Sequence, residues 1–150
     1  MGDVVLGDAT AGAFVGTNTG KIWCSYHQGL VKGAAASALV GGLAGSNSGV
    51  IAACYQAGNV TGATTGGIVA ASTGTLDNNF FDSTLLAEPV FVPATGVTGV
   101  TTTEMTKTLF VTTINAAITA WLSSNTGYDT HYYKYQAANY PKLSDTDTDD

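Results

Sequence analysis

Leu43-Ala44-Gly45-Ser46-Asn47-Ser48-Gly49-Val50-Ile51 occurs in three versions along this chain. Phe14-Val15-Gly16-Thr17-Asn18-Thr19-Gly20-Lys21-Ile22 aligns on it without a gap, and so does Ile68-Val69-Ala70-Ala71-Ser72-Thr73-Gly74-Thr75-Leu76. The copies begin 29 and then 25 residues apart, inside the window of roughly 20–50 residues that marks arrays of stacked units. The match continues through Tyr26, Tyr55 and Phe80, and through Gly29 and Gly58. The extra residues of the first interval fall between Gly33 and Gly41, where a loop absorbs them.

Each copy reads as two short strands about a turn. Strand periodicity of two puts Ile22, Cys24 and Tyr26 on one face, expected to be inward, and Trp23, Ser25 and His27 on the other. The equivalent inward sets are Ile51, Ala53, Tyr55 and Leu76, Asn78, Phe80. Stacking the copies at the ~4.7–4.9 Å spacing of paired strands turns these sets into ladders. Gly20, Gly49 and Gly74 fall at the turn, where left-handed backbone is expected. Asn18, Asn47 and Ser72 form a predicted polar ladder beside it. Cys24 aligns with Ala53, and Cys54 with Ser25, so the two thiols are one position out of step and point to opposite faces. Two free thiols are predicted.

The pattern predicts a mainly β chain whose residues 1–83 are stacked repeats, with copies at about 11–33, 40–62 and 65–83. Gly2-Asp3-Val4-Val5 resembles Gly58-Asn59-Val60-Thr61, so residues 2–10 read as the end of a preceding repeat and the chain as part of a longer array. Residues 84–143 read as a cap over the open end of the stack. Within it, 84–100, with Pro89 and Pro93, is expected to be irregular. Thr102-Thr103-Glu104-Met105 looks like a capped helix start, and 115–123 a second helix. Residues 132–136 read as a strand, and 139–143 close the fold with Pro141 at an edge. Residues 144–150 form an acidic tail or linker, with weak calcium binding as the alternative.

Of the 150 residues 45% are hydrophobic and only 11% charged, against a usual charged fraction of about a quarter. There is no arginine, and the net charge is −6. Phosphate neutralisation needs clustered Lys and Arg, so nucleic acid is excluded as a partner. No run approaches the ~18 apolar residues of a membrane span, and Met1-Gly2-Asp3 has no basic signal-peptide start. Neither His27 nor His131 has ligand spacing to Cys or carboxylate, and there is no Gly-x-Ser-x-Gly elbow. No catalytic residue, cofactor or metal is therefore expected. His27 is expected on the solvated outward face. Trp121, Tyr128, Tyr132, Tyr133 and Tyr135 crowd the C-terminal region, and aromatic faces suit sugar rings. They are the candidate ligand-binding residues, against the alternative that they pack the cap. Trp23 is expected to face outward.

Gly41-Gly42-Leu43-Ala44-Gly45-Ser46-Asn47-Ser48-Gly49-Val50-Ile51, followed by Cys54-Tyr55-Gln56-Ala57-Gly58-Asn59-Val60-Thr61-Gly62, resembles the GLUG motif. Phe80-Phe81-Asp82-Ser83, Gly99 to Met105 and Asn139-Tyr140-Pro141-Lys142-Leu143 resemble segments that come after the last such repeat. The first copy departs from the pattern with Ala13 in place of a glycine, and the third with Ala70-Ala71. The resemblance implies a right-handed β-solenoid in an exported bacterial surface protein, adhesin-like or fimbria-associated, at the cell surface or outside the cell. Its implied role is non-catalytic, as spacer or ligand-presenting module. The implied partners are a host or microbial surface glycan or protein, or neighbouring modules. Alternatives are a carbohydrate-binding module using the C-terminal aromatics, or a non-catalytic segment of a secreted immunoglobulin A peptidase-like protein.

Overall fold

The computed structural model describes residues 3–6, 10–33, 39–86, 90–91, 95–128 and 131–144. Residues 145–150 of the acidic tail, Pro89 and Pro93 lie outside them. After β1 (Val4–Leu6), the first copy supplies β2 (Ala11–Gly12), β3 (Val15–Asn18), β4 (Lys21–Trp23), β5 (Tyr26–His27) and β6 (Val31–Gly33). The second copy repeats the series as β7 (Leu39–Gly41), β8 (Ala44–Asn47), β9 (Val50–Ala52), β10 (Tyr55–Gln56) and β11 (Val60–Thr61). The third supplies β12 (Thr64–Gly66), β13 (Val69–Ser72), β14 (Thr75–Asp77) and β15 (Asn79–Asp82). Then come β16 (Val90–Phe91), β17 (Val97–Val100), helices α1 (Thr102–Met105) and α2 (Thr108–Ser124), and the hairpin β18 (Tyr133–Gln136) and β19 (Asn139–Leu143).

Every strand of one copy pairs in parallel with its equivalent in the next, giving stacked sheets in the orders β1-β6-β11, β16-β12-β7-β2, β13-β8-β3, β14-β9-β4 and β17-β15-β10-β5. The register is that of the sequence alignment. Asn18 lies opposite Asn47 and Asn47 opposite Ser72, and Tyr26, Tyr55 and Phe80 form one row. Equivalent backbone bonds recur with the same length: Val50 N–H donates to Gly20 O and Thr75 N–H to Gly49 O, each at 2.8 Å. Val4 and Val60 both lie opposite Val31, so β1 holds the register of a closing repeat segment.

The predicted polar ladder forms. Asn18 Nδ2 donates to Asn47 Oδ1 at 2.7 Å, and Asn47 Nδ2 to Ser72 Oγ at 3.1 Å. Their donors also reach turn carbonyls of their own and the next copy, Val50 O among them. Both asparagines are buried, where a polar group without partners would cost roughly 1–3 kcal/mol.

The turn glycines have a different cause from the one expected. None of Gly20, Gly49 and Gly74 has positive φ. A Cβ on Gly49 would instead lie 2.0 Å from Gly20 O, and one on Gly74 2.2 Å from Gly49 O. Glycine is needed there because the adjacent copy's backbone occupies the side-chain space. Left-handed backbone occurs further on, at the aligned column Cys24, Ala53 and Asn78, with φ of 46°, 51° and 51°.

That corner overturns the expected division of faces. A left-handed residue ends one strand and re-aims the next, so alternation does not carry across it. Ile22, Ile51 and Leu76 face the interior with Leu43, Ile68 and Phe81, but Tyr26, Tyr55 and Phe80 face outward beneath α2 and β18. His27, expected in solvent, is buried, as are its row partners Gln56 and Phe81. Cys24 joins the outer cluster and Cys54 the inner one, and both thiols are free. The expected separation of the two thiols therefore holds, although not through simple alternation.

The described residues between 84 and 100 include two strands within the segment expected to be irregular. β16 and β17 extend two sheets in parallel past the third copy. Their few residues give too little periodicity to be read in sequence. Thr101 caps α1 in a reciprocal box with Glu104. The Thr101 hydroxyl and N–H hold the Glu104 carboxyl below its ordinary value. Helix α2 starts at Thr108, well before the expected 115. Its opening turns are rich in threonine, a poor helix former in isolation, and the buried Phe110, Val111 and Ile114 hold them in place. Rather than only closing the end, α2 lies along the side of the stack. Phe110 meets Tyr55 and Phe80 edge-on, at 5.9 and 5.4 Å between centroids, and Trp121 stacks on Trp23 at 4.9 Å. One helix thus touches all three copies.

The glycine column supplies a paired test. Gly49→Ala should lower stability by about 1–3 kcal/mol, the usual cost of overpacking. Gly20→Ala meets nothing within 4 Å and should be neutral or slightly stabilising. Urea midpoints of the two variants, at unchanged slope, check the contrast.

Candidate functional site

The predicted aromatic residues separate into three environments. Trp121 and Tyr133 are buried, Tyr128 and Tyr132 half-buried, and Tyr135 is 46% exposed. Trp121 and Tyr128 do come together, with rings edge to face at 4.9 Å. Trp23, from the first copy, completes the group: it faces outward as expected and is covered by Trp121 at 19° between planes. The Lys21 ammonium sits 5.2 Å from the Tyr128 ring centroid and 6.0 Å from that of Trp121. Such a contact contributes ~0.5–1 kcal/mol at an exposed site. Tyr133 belongs to a second group with Tyr26 and Tyr55, at 6.1 and 5.3 Å. Tyr135 projects from the same strand but stays in solvent. The five residues thus form no single platform.

Polar fasteners join the hairpin to the stack. Tyr55 donates its hydroxyl to Pro141 O and accepts from Gln28 Nε2 at 2.8 Å. Pro141 lies in a two-stranded hairpin, where its missing N–H breaks no central ladder. Burial pushes the Tyr133 phenol well above its usual range.

A buried carboxylate that sequence reasoning passed over makes three hydrogen bonds. Asp82 ends β15 and is 1% exposed. One carboxylate oxygen accepts from Thr84 N–H at 2.8 Å, and the other from Thr102 Oγ1 at 2.6 Å and Tyr140 Oη at 2.5 Å. It ties the last repeat strand to α1 and to β19. The available signal was an acid between apolar Phe81 and the threonine-rich helix start. Buried carboxylates are placed only where donors surround them.

At the corner, Ser25 Oγ donates to Trp23 O at 2.8 Å and Cys54 Sγ to Ala52 O at 3.1 Å, while Asn79 Nδ2 donates to Ile51 O at 2.8 Å. Side chains of this column serve backbone carbonyls. Cys24 Sγ donates to His131 O at 3.3 Å. Burial pushes the Cys24 and Cys54 thiols each up to about 12, which removes the thiolate that nucleophilic or ligand chemistry needs. Among the described residues no group of three or more His, Cys, Asp or Glu is placed to hold a metal ion. No helix among them is long and apolar enough to cross a membrane.

Asp82→Ala should destabilise the fold by about 1–3 kcal/mol, because it removes the buried acceptor shared by three donors from three segments. Tyr140→Phe should cost less, since Asp82 keeps its other partners. Denaturant midpoints rank the two. Because the folded thiols hold their protons more tightly than the unfolded ones, stability should be constant below the unfolded thiol value of 9.0 and fall as pH rises from there through about 12. Cys54→Ser should flatten that slope in an alkaline denaturation series. In the same experiments both thiols should resist alkylation when folded and react without reductant when unfolded.

Comparison with protein-family models, curated proteins and solved structures finds no match.

Proposed function

We propose that this chain is a short right-handed β-solenoid of GLUG-type repeats, acting as a non-catalytic structural or adhesive module of an exported bacterial surface protein. The observation that carries the reading is the register. Three copies pair strand for strand, residue on equivalent residue, and direct their polar side chains at one another and at their own turns. Such an arrangement makes a stiff spacer whose length scales with copy number. The sequence likeness to GLUG repeats supplies the surface setting, with neighbouring modules or a surface glycan or protein as partners. The buried state of Trp121 and Tyr133 favours a packing role for the aromatics over a sugar platform.

Beads coated with the domain, offered to host and microbial cells and to a glycan array, test the proposal. Saturable attachment to cells, or inert display with high protease resistance, is the expected result. Glycan binding abolished by Tyr135→Ala would replace it with the carbohydrate-binding reading. Turnover of peptide or glycan substrates, lost on unfolding, would overturn it.

A further inference from the structure

Gly20 aligns with Gly49 and Gly74, yet nothing packed around it requires a glycine. A Cβ on either later glycine would collide with a carbonyl of the preceding copy, whereas one on Gly20 meets nothing within 4 Å. The neighbouring backbone donors differ in the same way. Ser48 and Gly49 N–H donate to Asn18 O, and Thr73 and Gly74 N–H to Asn47 O, each one layer back. Gly20 N–H turns instead to Asn18 Oδ1 of its own copy, at 3.2 Å. The apolar column follows suit. Leu43, Ala44, Ile68 and Val69 are fully buried, but their counterparts Phe14 and Val15 are 42% and 36% exposed. Strands β2, β3, β4 and β5 each stand at the end of their sheet's order, and such edges are templates for pairing.

One strand of a layer on that side is already in place. β1 pairs with β6 in the register that β6 keeps with β11, so it stands where the closing strand of a further copy stands. The face beside it fits the remaining strands of such a layer. Its turn needs backbone carbonyls, as Gly20 O serves Val50 N–H and Gly49 O serves Thr75 N–H. Its apolar part needs a side chain over Phe14 and Val15. A second copy of this chain supplies neither. Its own first-copy face would set turn donors against turn donors. At its other end Ile68 and Val69 are fully buried, with Leu86 and Val97 in the same cluster, and Gly96 O already accepts from Asn79 N–H at 2.9 Å.

We propose that the exposed edge formed by β2, β3, β4 and β5 is a docking face for one further repeat layer, carried ahead of β1 in the same polypeptide. That layer sets a turn carbonyl against Gly20, as Gly20 sets one against Gly49, and an apolar side chain over Phe14 and Val15. Main-chain bonds between parallel strands hold it, as in the addition of a strand to a sheet edge. The stack is therefore directional: it accepts a layer at the first copy and is closed at the third. The inference rests on the repeat register and holds whether the module is adhesive or a plain spacer.

An extended chain tests the proposal. A duplicate of residues 39–57 is placed directly before Gly2, so that it runs into β1 as the original runs into β11, and the full chain without the duplicate is the control. The extended chain should unfold in one transition at a higher urea midpoint than the control. Amide exchange at Thr19 and Lys21 should slow by roughly tenfold or more. Gly20→Ala should leave the control unchanged but lower the midpoint of the extended chain by as much as Gly49→Ala does. Phe14→Asp, tolerated in the control, should likewise destabilise only the extended chain. Gly20→Ala neutral in both chains would overturn the proposal. So would a duplicate that protease removes from an otherwise unchanged domain. A control chain that dimerises in sedimentation equilibrium, and loses the dimer on Phe14→Asp, would overturn it by giving the face to a second copy. Cell attachment is read separately, so failure here is distinct from failure of the adhesive reading.

Discussion

Parallel pairing of equivalent segments in register brings each backbone within strand distance of its own counterpart, and this constraint governs almost every residue choice in the three copies. A position at a turn must have a partner at the same turn one layer away. Where the backbones close to contact, only glycine fits, as the 2.0 Å and 2.2 Å approaches at Gly49 and Gly74 demonstrate. Where side chains point inward, they meet their own kind, so Leu43 and Ile68 become fully buried in each other's company. Where a polar side chain is buried, its nearest candidate partner is another of the same type. Asn18 and Asn47 resolve this because an amide is both donor and acceptor. A carboxylate column at the same place would stack like charges.

The same constraint explains the corner. Cys24, Ala53 and Asn78 share a left-handed conformation that costs non-glycine residues roughly 1–2 kcal/mol. Each copy adopts it because its neighbour does, and departing from it in one layer would pull β5, β10 or β15 out of register with its row. The cost is offset by what the bend achieves. It turns Tyr26, Tyr55 and Phe80 out of the interior, so that one side of the stack becomes an aromatic surface for Phe110 and Tyr133.

How much of this is legible in sequence depends on what kind of information each feature needs. Register, the polar ladder and the mainly parallel pairing come from aligning residues 14–22, 43–51 and 68–76, because equivalence alone determines them. The division of faces after Ile22 is not legible. It depends on a backbone angle at Cys24, and neither cysteine nor alanine advertises left-handed φ as glycine would. The same bias toward glycine misplaces the cause of Gly49 and Gly74. Helix α2 is readable only in its apolar second half, since Thr108, Thr112 and Thr113 obscure a periodicity that tertiary packing then rescues. Sequence proximity groups the five candidate aromatics, but strand and helix facing disperse them. Asp82 escapes notice because its donors come from three separate segments.

The position of α2 changes how the repeats can come apart. In an array whose layers touch only their neighbours, opening is a local affair: an end layer frays, then the next, with free energies that rise toward the middle. Here a single helix bears on Trp23 of the first copy, Tyr55 of the second and Phe80 of the third. No layer can leave without stripping part of that helix from the other two. The three copies and their lateral helix therefore form one cooperative unit. Hydrogen-exchange protection of the first copy is tied to the integrity of a helix encoded far downstream in the chain.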